Sequence, residues 1–513
     1  MSDAIGKKQN FIMNFDAPYF FRFNNGVPNQ ITMNATPFVQ LANLDHDLGA
    51  YVQDRWTIQR ATVSYGLRYD HWASSFPEQP IGPGVLVPNR NFTLPATDGV
   101  SWHDISPRVG VAYDLFGTGK TAVKGSVGKY VVGQALRGSG ETVIFGDGLN
   151  PAQRVVTTAT RSFTDTNRNF AADCNLQNFA ANGECGPISN TDFGTVRPGS
   201  TYDPEILSGW GKRMYSWQFS ASVQQELMAR TSVELSFFRR TYGNFNVVDD
   251  RARSAADFDE FSITAPSDPR LPGGGGNTIG GLYNVKPAMF SVPANNYITF
   301  SEPYGKQSEH WNGFDLTFNT RTQNGLTVQG GLSSGRTTID NCEVARALPE
   351  TLAGLLVLNT ANASAQFPAQ YCHQVSPFLT QVKFLGSYTI PKIDVLISAA
   401  VQSVPGPPVF ANFVANNAAV TPSLGRPLAG NAANVTVNLI EPGGLYGDRR
   451  NQLDLRLGKV LRFGGTGLRL NVDLNNVFNA NAVLSENASY AVFRQPSAIL
   501  PARVVRLGMQ LDF

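Results

Sequence analysis

The segment Asp165 to Asn169 carries an oxygen donor at every second position, at Asp165, Asn167 and Asn169. This spacing begins the loops that wrap Ca²⁺, because that ion prefers hard oxygen ligands. The later positions depart from the pattern: Phe170 stands where the turn glycine is needed and Leu176 where a closing acid is needed. A surface loop is therefore the favoured interpretation, and a calcium site the weaker alternative.

The four cysteines form two local pairs inside long polar segments. Three pairings are possible, but proximity favours Cys174 with Cys185 and Cys342 with Cys372, which indicates an oxidising compartment. Four free thiols are the alternative. Neither pair has the spacing of a zinc site.

The remaining reactive side chains do not assemble a catalytic or metal motif. No His-x-x-x-His or Glu-x-x-His pair occurs among the five histidines, which are His46, His71, His103, His310 and His373. The glycines from Gly273 to Gly276 lack the Lys-Ser/Thr of a phosphate loop. We therefore expect neither an enzyme nor a bound cofactor.

The composition favours β-structure rich in turns and aromatic residues. The 513 residues include 49 glycines, 31 prolines and 33 phenylalanines, and only 16% are charged. The formal net charge is +2 and no dense basic run occurs, so nucleic acid is not an expected partner. The longest apolar run, near Leu352 to Leu358, is too short for a membrane-spanning helix.

Strict alternation of apolar and polar residues is the strongest pattern in the chain, and it predicts strands with one apolar and one wet face. From Ala61 to Tyr69 the odd positions are apolar or aromatic and the even positions are mostly polar. The same pattern recurs from Trp217, from Phe314, from Leu453, from Leu468 and from Val505 to the last residue.

Short and long connections between these strands alternate. Short turns are predicted near Gln59-Arg60, Gly117 to Gly119, Ala229-Arg230, Asn324-Gly325, Pro391-Lys392 and Gly464 to Gly467. Long segments rich in Gly, Pro, Asn and Ser are expected at about Ala73 to Ser106, Val132 to Lys212, Gly243 to Glu309, Thr337 to Ser376, Val404 to Arg449 and Asn479 to Ala502. Barrels of the outer membrane have short periplasmic turns and long external loops.

These patterns predict an all-β fold, an antiparallel transmembrane β-barrel in the cell outer membrane, with outer-membrane lipid around it. We count about thirteen strands from His46 onward, and one to three more before it, for a partial barrel of roughly fourteen to sixteen. The whole chain, residues 1–513, is expected to be a single barrel domain.

Charged residues on the wet face are candidates for contact with a solute or a plug, although most such residues merely line a lumen. The candidates are Arg68, Asp70, Arg108, Asp114, Asp454, Arg456, Arg469 and Asp473. Aromatic residues near strand ends fit interfacial girdles, and they include Trp56, Tyr65, Trp72, Tyr113, Trp217 and Phe478.

Several blocks resemble the barrel of TonB-dependent receptors, particularly the Oar-like subgroup. They are Asp47-Leu-Gly-Ala-Tyr-Val-Gln-Asp-Arg-Trp56 with Tyr65-Gly-Leu-Arg-Tyr-Asp70, Ser106 to Tyr113 with Lys124 to Tyr130, Asp473 to Asn479, and the terminal strand. The terminal Phe513 resembles the signal by which the barrel-assembly machinery recognises its substrates.

The resemblance implies a barrel of about twenty-two strands that takes up a scarce solute, with an N-terminal plug and a short segment that binds TonB. No signal peptide, plug or TonB segment is recognised here, so the chain is expected to be the C-terminal part of such a barrel. TonB would then act through a plug not present in this chain, and the solute is not identified. A structural or adhesive surface protein on the same scaffold is the alternative, and a passive porin is less favoured.

Overall fold

The structure is a computed structural model that describes residues 2–3, 7–12, 17–134, 136, 149–353, 365–463 and 466–512. Because side chains on alternate positions of a strand point to opposite faces, each alternating segment forms a ribbon with an apolar and a polar side. Fourteen such strands in the described residues pair in sequence order into one antiparallel sheet.

We number these strands in chain order. They are β1 (Ser2–Asp3 with Lys7–Ile12), β2 (Val39–Ile58), β3 (Ala61–Phe76), β4 (Thr97–Asp114), β5 (Thr121–Val131), β6 (Tyr215–Met228), β7 (Thr231–Gly243), β8 (Ser308–Arg321), β9 (Leu326–Asp340), β10 (Leu379–Ile390), β11 (Val395–Val404), β12 (Arg450–Phe463), β13 (Thr466–Asn475) and β14 (Val504–Asp512). Two short strands, Ser208–Trp210 and His373–Val375, pair with the ends of β4 and β9.

The register places like side chains on one face. Leu235 of β7 pairs with Leu316 of β8, which pairs with Leu332 of β9, and all three side chains are exposed. An exposed row of leucines across neighbouring strands is a contiguous apolar surface. Such a surface marks a contact region rather than a face exposed to water. We call this side the apolar face and the opposite side the polar face.

The strand count and the turns agree with the sequence predictions, whereas several loop bounds do not. The first forty residues add one strand to the sheet, and their other two strands pair elsewhere. The loop expected from Ala73 to Ser106 is shorter, because β3 runs to Phe76 and β4 begins at Thr97. Gly464 and Gly465, part of one predicted turn, lie outside the described residues.

The long connections all leave the sheet at one end, the loop end, and fold into a layer of small sheets. Their strands are Tyr19–Asn24, Val27–Asn34, Gln79–Ile81, Phe92–Leu94, Thr158–Phe163, Cys185–Ile188, Thr201–Tyr202, Asn246–Asp250, Phe258–Thr264, Thr278–Val285, Asn296–Phe300, Asn412–Asn416, Asn434–Asn438, Val483–Glu486 and Pro496–Ile499. The helices there are Pro204–Leu207, Pro287–Phe290, Cys342–Ala347 and Asn417–Leu424, with 3-10 turns at Pro151–Arg154, Ala255–Asp257, Pro272–Gly274, Glu302–Tyr304, Pro349–Ala353, Ala369–Tyr371, Ala429–Asn431 and Tyr490–Val492.

This loop layer contains much of the buried apolar core. One cluster joins three connections, with Ile279 and Leu282 from one, Val437 from the second and Phe493 from the third, each 0–1% exposed. A second cluster packs Ile31 and Met33 against Phe163. Among the residues that the structure describes, no helix is both long and apolar enough to cross a membrane.

Candidate functional site

Arg68 and Asp70 lie two residues apart on β3 and therefore on the same, polar face. The Arg68 guanidinium donates to both carboxylate oxygens of Asp70, with an Nη2–Oδ1 distance of 2.6 Å. Gly49 of β2 makes room for this pair, since a Cβ there would lie 2.4 Å from Arg68 Nη2. The pair is thus a fixed polar feature, with the Arg68 side chain 40% exposed.

The polar network continues across β4 to β7. The Arg108 guanidinium stacks over the Tyr130 ring at 4.5 Å. Lys124 donates to Glu234 at 3.2 Å, and Ser222 donates to the same carboxylate at 2.7 Å. The charged and hydroxyl side chains of neighbouring strands therefore contact one another and form one continuous polar surface.

A second polar group lies on β12 and β13. Arg456 Nη2 donates to Asp473 Oδ2 at 2.9 Å, while Asp454 accepts from Gln452 at 3.1 Å and from the Asn476 amide at 2.7 Å. Arg469 occupies the same face of β13, in register with Gln510. Strands β4 to β11 separate this group from Arg68, so the sheet order does not bring the two groups together.

Asp114 has a local structural role that its sequence pattern did not indicate. Its carboxylate accepts the backbone N–H of Gly117 at 3.0 Å and of Gly119 at 2.8 Å. Both glycines have positive φ, which the tight turn between β4 and β5 requires. Asp114 therefore stabilises a turn at the end of the sheet opposite the loops.

An ion pair that sequence reasoning missed joins the sheet to the loop layer. Arg213, just before β6, donates through Nε to Asp104 Oδ2 of β4 at 2.8 Å, and the two side chains are 8% and 0% exposed. Trp102 lies beside them, with its indole N–H donating to the Ile206 carbonyl at 2.8 Å. Asp104 follows the ordinary alternation of β4 and Arg213 lies in the irregular segment before β6, so no sequence signal marks the pair.

Both predicted disulfides are present, Cys174–Cys185 and Cys342–Cys372, and each lies in the loop layer. The Cys174–Cys185 disulfide closes a segment whose backbone carbonyls accept hydrogen bonds from the buried Arg161. The Arg161 guanidinium donates to the carbonyls of Gly186, Asn178 and Ala180 at 2.7 to 2.9 Å. Covalent and charge-assisted bonds together fix this loop.

The oxygen-rich segment at Asp165 is internally hydrogen bonded. Asn167 and Asn169 donate to Asp173 Oδ2 at 2.6 and 2.8 Å, and the Thr166 amide donates to Glu184. Among the described residues, no group of three or more histidine, cysteine, aspartate or glutamate side chains is placed to hold a metal ion. The hydrogen bonds to Asp173 and Glu184 order the segment as a surface loop.

Three histidines that are far apart in sequence stack across β2, β3 and β4. The ring centroids of His46 and His71 are 4.7 Å apart, and those of His71 and His103 are 4.2 Å apart. Trp210 stacks on His103 at 5.1 Å. The spacing of the histidines in the sequence does not indicate this stack, because only the strand register aligns the three rings.

Two hydrogen-bonded carboxylates stabilise the loop layer, one within a connection and one between two connections. Tyr304 donates to Asp249 at 2.7 Å, and burial together with this hydrogen bond raises the pKa of Tyr304 to about 12. Arg270 donates to Asp268, and Tyr490 of a distant loop donates to the same carboxylate at 3.1 Å. Hydrogen bonds from Arg270 hold the pKa of Asp268 well below its usual range.

The expected aromatic girdle is only partly correct. Trp56, Tyr65 and Tyr113 are exposed on the strands, at 55%, 38% and 41%. Trp72 is instead 5% exposed, and its ring centroid lies 6.3 Å from that of Trp102 in a core at the loop end. Trp72 sits at an even position of β3 and so points away from the apolar face. Phe513 lies outside the described residues.

Comparison with known proteins places this architecture. Residues 10–337 match the family model of the outer membrane beta barrel domain. The fold is similar to the outer membrane transporter YddB from Escherichia coli, at 9% identity and a TM-score of 0.41 over 94% of this chain and 54% of that chain. It is also similar to the ferric-catecholate import receptor Fiu from E. coli K12, at 11% identity and a TM-score of 0.42 over 96% and 53%.

A third similar structure is the ferric yersiniabactin uptake receptor FyuA from Yersinia pestis, at 10% identity and a TM-score of 0.40 over 94% of this chain and 47% of that chain. The chain thus spans about half the length of these solved structures. No curated protein matches the sequence.

The chain belongs to the outer membrane beta barrel domain family, and this assignment rests on the family match, which covers residues 10–337. Its location is the outer membrane, where the apolar face meets lipid and the polar face lines the lumen. The antiparallel β-barrel fold predicted from alternation and loop asymmetry is confirmed.

Proposed function

We propose that this chain forms barrel strands and external loops of a TonB-dependent receptor that takes up a solute across the outer membrane. The observation that carries the proposal is the combination of a charged, hydrogen-bonded polar face with a folded loop layer at one end of the same strands. A pore needs only a polar face along its lumen. A selective receptor also needs a structured external surface that binds the ligand before it enters the lumen.

The loop layer supports a binding role because its connections are held in fixed positions. The disulfide Cys342–Cys372, the Tyr304–Asp249 hydrogen bond and the shared apolar core reduce the conformational freedom of long loops. Binding to a loop that is already ordered costs less conformational entropy. A ligand held there would next meet the polar face, where Arg68, Arg108 and Arg456 present donors.

In this proposal TonB acts through a plug domain, and the barrel-assembly machinery inserts the strands into the membrane. The solute stays unidentified, since polar barrel walls are similar for many cargoes. A structural or adhesive surface protein on the same scaffold would use the loop layer without any uptake.

The test does not require knowledge of the ligand. Cells with the chain present or deleted, each with TonB present or absent, are grown in defined medium, and solute depletion is followed by mass spectrometry. We expect at least one solute to be depleted only when the chain and TonB are both present. Depletion that is equal in all four strains would contradict uptake, and depletion that needs the chain but not TonB would indicate a passive pore.

A pair of variants on one strand sharpens this test. We expect Arg456→Gln to change the depletion rate, because it removes a donor from the wet face of β12 and breaks the bond to Asp473. Arg462→Gln serves as the matched control, on the same face but six residues nearer the turn end. Equal rates in both variants, with equal amounts of protein in the membrane, would contradict a role for Arg456 in uptake.

A further inference from the structure

Two arginines lie on the apolar face, where aliphatic and aromatic side chains are otherwise expected. Arg239 of β7 pairs in register with Asn312 of β8, which pairs with Arg336 of β9. Arg239 Nη1 donates to Asn312 Oδ1 at 3.1 Å. With two strand spacings between them, the arginine Cα atoms are about 10 Å apart. We call these three residues the arginine patch.

Aromatic rings lie directly beside the patch, with Phe237 and Phe314 toward the turn end and Phe378 level with Arg336. The rings of Phe237 and Phe314 are 5.2 Å apart, and Phe378 lies 6.4 Å from Phe314. The Arg336 guanidinium is 5.0 Å from the centroid of the Phe378 ring. All three rings are exposed, at 36% to 47%. The surface therefore changes from apolar to cationic along the strands toward the loop end.

The position of the patch matches the upper boundary of a bilayer. Arg239 is eight residues beyond Thr231, where β7 begins at its short turn, which is about 27 Å along the strand at roughly 3.4 Å per residue. A strand tilt of about 40° reduces this to a height of about 20 Å. Apolar bands of such barrels are about 25 Å tall, so the patch lies about 5 Å below the external edge of the band, close enough for long arginine side chains to reach the headgroups.

The patch has an excess of positive charge. Neither arginine takes part in any ion pair among the described residues. His310 is the next apolar-face residue of β8, and Asp340, the next carboxylate on that face of β9, is already 3.2 Å from His373. By alternation, Asp315 and Glu309 belong to the polar face. An anion is needed to balance two guanidinium groups that face lipid.

We propose that the arginine patch binds the phosphate of a lipid headgroup in the external leaflet, with the acyl chains lying against the rings of Phe237, Phe314 and Phe378. A guanidinium can donate two parallel hydrogen bonds to a phosphate, and the Asn312 amide supplies a neutral donor between the two cations. The lipid thereby compensates charges that are costly on the lipid-facing side of a barrel. This inference rests on the outer-membrane location and not on solute uptake.

The test measures binding of fluorescent phosphatidylglycerol to the full chain folded in detergent micelles, with fluorescent diacylglycerol as the phosphate-free comparison. Each basic residue near a lipid surface contributes a factor of about five, so Arg239→Gln with Arg336→Gln is expected to weaken phosphatidylglycerol binding about 30-fold. Binding of diacylglycerol should be weak and unchanged. Replacing both arginines by lysine should restore part of the affinity, because the charge remains and the paired hydrogen bonds are lost.

Arg240→Gln is the matched control, since Arg240 is the next residue on β7 and faces the opposite side, where it donates to Ser216. We expect its affinity for phosphatidylglycerol to equal that of the unmodified chain. The proposal is overturned if the double glutamine variant binds phosphatidylglycerol unchanged, if diacylglycerol binds equally well, or if millimolar inorganic phosphate displaces the lipid. A loss of self-association in that variant, with lipid binding intact, would assign the patch to a second copy of the chain and would also overturn it.

Discussion

The Asp104–Arg213 pair offers a quantitative test of how the loop layer is attached to the barrel. Removing one partner of a buried ion pair leaves the other charge without compensation, which costs about 3–5 kcal/mol. Both side chains are nearly inaccessible, and the bond joins β4 to the residue that precedes β6. We therefore expect Asp104→Asn and Arg213→Gln each to lower the free energy of unfolding by about that amount.

The double replacement Asp104→Leu with Arg213→Met should behave differently. Asp104 Oδ1 and Arg213 Nη2 are buried without hydrogen-bond partners, so the pair does not repay its full desolvation cost. A methionine can keep the apolar contact with Trp102, over which the Arg213 guanidinium lies at 5.5 Å. The double variant is thus expected to be within about 1 kcal/mol of the unmodified chain or more stable.

The assay is guanidinium unfolding of the chain in lipid vesicles, followed by tryptophan fluorescence and extrapolated to zero denaturant. The single variants should change the unfolding equilibrium constant by a factor of roughly a hundred to several thousand. The reasoning would be refuted if the single variants were nearly neutral, or if the double variant were as unstable as the sum of the two.

Three further predictions concern the loops and the chain end. Replacing Cys342 and Cys372 by serine should lower stability by about 3–4 kcal/mol for a loop of this length, measured in the same assay, and thiol labelling of either residue in the non-reduced protein would contradict the bond. Because the pKa of Tyr304 is raised to about 12, its hydrogen bond to Asp249 stabilises the loop fully below about pH 10 and is lost between pH 10 and 12. Hydrogen-exchange protection near Tyr304, taken relative to the intrinsic base-catalysed rate, should therefore fall in that window, and Tyr304→Phe should remove this fall. Deleting Phe513 should reduce membrane insertion in cells, and unchanged insertion would remove it from the assembly signal.

The sequence was sufficient to predict the strands because alternation is a local property of the chain. Two like residues that are two positions apart, such as Leu455 and Leu457, indicate which face of a strand they occupy. The same holds for Arg68 and Asp70, and no partner strand has to be known. The short turns were predictable for the same reason, because glycines such as Gly117 and Gly119 are typical of a tight turn between two strands. The disulfides followed from proximity in the sequence.

Contacts between distant strands could not be predicted, because they depend on register. The stack of His46, His71 and His103 forms only when β2, β3 and β4 align, and Arg239 meets Asn312 for the same reason. The sequence predicts only long irregular connections where the loop layer lies, because the buried residues of its first cluster come from three separate segments with no common periodicity. For Asp114 the alternation predicted the strand face correctly. It did not predict the hydrogen bonds from Gly117 and Gly119 by which Asp114 stabilises the turn.

The central claim is that one face of the strands contacts lipid while the other contacts water. All described cysteines are in disulfides, so a cysteine introduced on β8 provides a single thiol for a spin label. In membranes, labels at positions 314, 316 and 318 should be relaxed mainly by oxygen, and labels at 315, 317 and 319 mainly by a water-soluble nickel complex. Relaxation that alternates with a period of two residues in this phase is the predicted result. Equal access to both reagents along β8, or the opposite phase, would contradict the account.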